Sequence, residues 1–77
     1  MKTYHLNDWT VYIKNKDEKG SYDVVCDGKT LVVIADGQDC FTFLKTNKNG
    51  TLSIEKLPYY VQYEFDSVKK CLYMTIL

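Results

Sequence analysis

Apolar and polar residues alternate in short runs along this chain, and turn-forming pairs separate the runs. Tyr4 and Leu6, then Trp9, Val11 and Ile13, take every second position, with Thr3, His5, Thr10, Tyr12 and Lys14 between them. Tyr59, Val61, Tyr63 and Phe65 repeat the pattern near the other end. A period of two marks strands that bury one face. Asp27-Gly28, Asp36-Gly37 and Asn49-Gly50 punctuate the runs. Such pairs suit tight hairpins, because a type I′ turn needs positive φ at both central residues. The pattern predicts strands over residues 2–6, 9–15, 20–26, 29–35, 39–46, 51–56, 59–65 and 70–77. The predicted fold is all-β: a small antiparallel meander of about eight short strands, in one domain over 1–77, forming a barrel or a two-layer sandwich. Val61, Phe65, Val68 and Leu72 also fall near helical spacing, but strict alternation over 59–65 favours a strand there.

Register sharpens the prediction, since residues facing each other across a hairpin share a face. A two-residue turn at Asn7-Asp8 sets Leu6 opposite Trp9 and Tyr4 opposite Val11. A loop at 16–19 sets Ile13 opposite Tyr22 and Val11 opposite Val24. The Asp27-Gly28 turn sets Val24 opposite Leu31 and Tyr22 opposite Val33. A loop at 36–38, with a bulge, brings Phe41 opposite Val33 and Phe43 opposite Leu31. The loop at 47–50 brings Phe43 opposite Ile54. A last loop at 66–69 pairs Tyr63 with Leu72, Val61 with Met74 and Tyr59 with Ile76. All of these residues except Tyr59 form the expected core. Pro58 cannot donate to a ladder, so Leu57-Pro58 is the expected bend from one sheet layer to the other.

Composition narrows the function classes. Ten basic residues balance ten acidic ones, which argues against duplex DNA as a partner, because duplex-binding domains carry a basic excess. The longest apolar run, Leu31 to Ala35, is far short of the roughly 18 residues of a membrane span. The first residues lack the apolar core of a signal peptide, so a cytoplasmic location without a membrane is expected. Cys26, Cys40 and Cys71 are odd in number and sit in predicted strands, a usage that fits reduced, structural thiols.

Candidate chemistry is sparse. His5 is the only histidine, and alternation puts it on the solvent side, near Thr10 and Tyr12. No nucleophile elbow or glycine-rich oxyanion loop accompanies the cysteines, so no catalytic residue is assigned and the chain is read as a non-enzyme. His5, Cys26, Cys40 and Cys71 have the number of ligands zinc takes, but not the paired knuckle spacing. Turn chemistry explains most of the acidic residues. No metal and no cofactor is expected.

The remaining signal is the outer face. Val25, Val32 and Ile34 should point away from the core, with Leu44 nearby. The last strand is apolar on both sides and, at 71–77, carries no charged side chain. An open apolar edge or face invites another chain. The expectation is a small binding module that acts by protein–protein interaction, probing its partner through Val25, Val32 and Ile34 and forming a homodimer. An inhibitor or adaptor of the kind phages and mobile elements encode fits that size. The alternative is a single-stranded nucleic-acid binder that stacks bases on Tyr12, Tyr60 and Tyr73 beside Lys14, Lys45, Lys56, Lys69 and Lys70.

Overall fold

β-Branched and aromatic residues at alternate positions give eight strands: β1 (Lys2–Leu6), β2 (Trp9–Asn15), β3 (Tyr22–Cys26), β4 (Thr30–Ala35), β5 (Cys40–Thr46), β6 (Leu52–Lys56), β7 (Val61–Asp66) and β8 (Cys71–Ile76). The computed structural model describes residues 2–16, 22–35 and 40–77. The strands form two four-stranded sheets packed as a sandwich, ordered β1-β2-β8-β7 and β3-β4-β5-β6. The expected barrel alternative is therefore set aside. The second sheet is an antiparallel meander. The first joins two hairpins by a parallel ladder between β2 and β8, with Thr10 beside Cys71 and Asn15 beside Ile76. Hairpin pairing does not predict that parallel seam, which places β8 inside the sheet. The expectation that the last strand is an open edge is corrected: β2 covers one side of it and β7 the other.

The first hairpin has the expected register, with Leu6 opposite Trp9 and Tyr4 opposite Val11. Asn7 turns the corner with a φ of 52°. β2 and β3 do not pair, because they belong to different sheets. Their apolar residues enter the same core from opposite sheets instead of side by side, and the loop predicted at 16–19 lies largely outside the described residues. The third and fourth strands are offset by two from expectation: Val24 faces Val33 and Cys26 faces Leu31. A shift of two keeps every side chain on its face. The reason lies in the turn. Gly28 has a φ of 89° but Asp27 is not left-handed, so the connection is not type I′. Asp27 instead accepts the N–H groups of Lys29 (2.9 Å) and Thr30 (2.7 Å), and these bonds hold its carboxyl below its ordinary 3.8. The last hairpin is offset by two in the same way, with Tyr63 facing Met74 and Val61 facing Ile76.

The fifth strand departs by one residue, which inverts it. Val33 faces Thr42 and Ile34 faces Cys40, so Phe41 is an extra, bulged residue inside β5. Past that bulge the parity is reversed: Leu44 faces Leu31 and Ile54 from inside, and Phe43 lies opposite Val32 on the outer face. A bulge in the loop at 36–38, the position the sequence predicts, lies outside the described residues and would set Phe43 in the core and Leu44 outside. Both assignments are corrected. Leu44 is fully buried.

The core joins Leu6, Trp9, Val11, Ile13, Val61, Leu72, Met74 and Ile76 of the first sheet to Leu31, Val33 and Leu44 of the second. Tyr4, Tyr22, Val24, Phe41 and Ile54 pack around it. Tyr63, expected in the core, is half exposed. The chain does cross between sheets at Leu57-Pro58, since β6 belongs to the second sheet and β7 to the first. One flank of the sandwich is tied shut: the N–H of Asn7 donates to Gly28 O (2.8 Å), and the Cys26 thiol to His5 O (3.4 Å).

Inverting β5 also buries Thr42, whose hydroxyl has no hydrogen-bond partner. An unpartnered buried hydroxyl costs stability that a methyl of the same shape does not. Thr42→Val is therefore expected to raise stability by about 1 kcal/mol. Urea unfolding followed by far-UV circular dichroism measures it, and a lowered midpoint would contradict it.

Candidate functional site

The outer face of the second sheet is built by the two register features just described. The Asp27 turn places Val25 directly opposite Val32. The bulge at Phe41 then turns Phe43 outward, opposite Val32 on its other side. Val25, Val32 and Phe43 make one continuous cross-strand row. Ile34 lies in the next row, between Asp23 and Cys40. Val25 is 59% exposed, and Val32, Ile34, Cys40 and Phe43 are half-buried.

Charge surrounds the row without entering it. Lys56 faces Phe43 across the ladder and donates to Cys40 O (2.6 Å). Lys45 pairs with Glu55 at 3.1 Å, and both are partly exposed. An apolar centre with a polar rim is the ordinary anatomy of a protein contact surface. The structure thus brings Val25, Val32 and Ile34 together as expected and replaces Leu44 with Phe43.

No family model, curated protein or solved structure matches this chain. Geometry alone carries the functional argument.

The tyrosines do not form one platform. Tyr12 and Tyr73 sit in register on the outer face of the first sheet, stacked with centroids 5.1 Å apart and planes 9° from parallel. Desolvation, with Cys71 and Tyr12 alongside, pushes the Tyr73 phenol above its ordinary value. Tyr60 belongs to neither outer face. It packs against the core and against Phe41, with ring centroids 5.6 Å apart, because it lies in the crossing segment before β7 and not in the strand. Its expected outward orientation is corrected.

The basic residues are dispersed as well. Lys14 is on the outer face of the first sheet, Lys45 and Lys56 on the second, and Lys70 reaches Asp8 at 3.5 Å. His5 is exposed opposite Thr10, and only its backbone carbonyl meets the Cys26 thiol. All three cysteines are free thiols: Cys26 is turned to the core, Cys40 donates to Thr42 O (3.1 Å), and Cys71 is buried on the outward side. Among the described residues no cluster of ligating side chains is suited to a metal, and no helix is long and apolar enough to cross a membrane.

Proposed function

We propose that this protein is a non-enzymatic binding module that works by protein–protein contact through the outer face of the second sheet, in the manner of a small inhibitor or adaptor. One observation supports the reading above others: the row Val25–Val32–Phe43, with Ile34 beside it, lies on a sheet face that carries no third layer among the described residues. Contiguous apolar surface of this kind marks interfaces, whereas scattered apolar residues do not. The partner that the chain itself supplies is a second copy, and a symmetric dimer is the commonest closed arrangement.

Light scattering on the wild type and on Ile34→Lys tests this. The wild type is expected to be dimeric, and Ile34→Lys monomeric with unchanged circular dichroism, since a lysine on an outward position need not disturb the core. A wild-type monomer at high concentration, indifferent to Ile34→Lys, would remove the reading. Binding of single-stranded nucleic acid has less to rest on: the Tyr12 and Tyr73 rings occupy each other, Tyr60 is turned inward, and Lys45 and Lys70 are engaged by carboxylates.

A further inference from the structure

We propose that the free edge of β7 is a docking site for one extended segment of another protein, apolar at alternate positions and basic between them. This edge is separate from the outer face of the second sheet. β7 ends the first sheet, and its ladder to β8 fixes which backbone groups are spoken for. The N–H of Leu77 donates to Tyr60 O (2.8 Å), so Tyr60 and Leu77 are a hydrogen-bonded pair. Antiparallel alternation then turns residues 62, 64 and 66 toward β8. Tyr63 and Phe65 present both N–H and C=O to the open side.

Those same two residues carry the second observation. Their side chains point into the sandwich, in line with Val61 and opposite Met74 and Leu72. Val61, Leu72 and Met74 are at most 4% exposed, yet Tyr63 is 49% and Phe65 38% exposed. The two rings meet edge to face at 5.5 Å, and Phe65 meets Trp9 at 5.9 Å. They form an aromatic ledge continuous with the core that no other described strand covers. A strand added to β7, about 4.8 Å away, would bond to the Tyr63 and Phe65 backbones and lay its inward side chains along their rings.

Charge decides the occupant. The outward side of β7 carries Gln62, Glu64 and Asp66, and the strand has no basic residue. Glu64 is exposed and forms no ion pair among the described residues. A second β7 laid antiparallel would set these carboxylates against their own kind, which disfavours self-pairing. A strand with lysine or arginine at its outward positions is attracted instead. The other edges are less open. β1 and β3 lie along the flank closed by Asn7 and Cys26, and β6 is interrupted by a register shift at Glu55, a device that spoils edges for pairing. β7 has no shift.

Titration of Trp9 fluorescence with three capped synthetic peptides tests the site. The first alternates lysine and valine, the second alternates glutamate and valine, and the third is the lysine peptide with every backbone nitrogen methylated. The lysine peptide is expected to bind at least about tenfold more tightly than the glutamate peptide, and methylation to abolish binding. Glu64→Lys, with unchanged circular dichroism, should narrow or reverse the preference, while Ile34→Lys should leave it alone. Equal binding of the two charged peptides, binding that survives methylation, or no binding of the lysine peptide would each overturn the proposal. So would self-association of the wild type that Glu64→Lys alone alters, because the occupant would then be a second copy.

Discussion

Trp9→Ala is expected to cost about 3–5 kcal/mol, comparable with the whole stability of so small a domain. Trp9 is 6% exposed at the start of β2, immediately after the Asn7-Asp8 turn. Its ring packs edge to face on Phe65 of β7, and its indole N–H donates to Gly50 O at 2.9 Å in the β5–β6 connection. One side chain therefore fastens both hairpins of the first sheet to a loop of the second. Alanine removes the buried surface and leaves a cavity between layers that are held together mainly by such contacts. Trp9→Phe should retain most of the packing and lose the hydrogen bond, at about 1 kcal/mol for that bond. Guanidinium unfolding followed by circular dichroism separates the three proteins. A Trp9→Ala variant with the wild-type midpoint and cooperativity would show that the indole does not hold the layers.

Neighbouring residues in β5 should respond in opposite ways. Leu44→Ala is expected to cost about 2–5 kcal/mol, because Leu44 is fully buried between Leu31 and Ile54. Phe43→Ala is expected to cost about 1 kcal/mol or less in the monomer, despite removing the larger side chain, since Phe43 faces outward beside Val32. Under the proposed self-association, its effect should appear in light scattering as weakened pairing. The reverse order of stabilities would mean that β5 is threaded with the opposite parity, and would return Phe43 to the core.

That contrast locates where the sequence was readable. All eight strands could be read from short apolar or alternating runs bounded by turn signals, and the bend at Leu57-Pro58 from the missing proline N–H. The face carrying Val25, Val32 and Ile34 was legible too, because a slip of two in the β3–β4 register leaves faces unchanged. What failed was parity beyond Phe41. Cys-Phe-Thr-Phe-Leu at 40–44 offers an apolar face in either phase, and nothing in the residues says whether an extra one is absorbed in the loop or within the strand. Tertiary fit decides, by setting Leu44 between Leu31 and Ile54 at the expense of burying Thr42. The parallel seam was hidden for a different reason: β2 and β8 lie too far apart in sequence for hairpin arithmetic to relate them. The exposed ring faces of Tyr63 and Phe65 were hidden likewise, as alternation assigns a side but not whether the opposite layer reaches it.

The parallel seam also orders how the molecule is assembled. β3 to β6 is a run of local hairpins, each closable as soon as its second strand exists. The first sheet has no such freedom: its two hairpins meet only where β2 lies along β8, Thr10 beside Cys71, the partners coming from near opposite ends of the chain. Closing so long an intervening loop is paid in chain entropy before any contact rewards it, and non-local pairing of this kind slows folding. During synthesis the β1–β2 hairpin must therefore wait, with one apolar face and one bare edge, until the meander is complete and β8 has emerged.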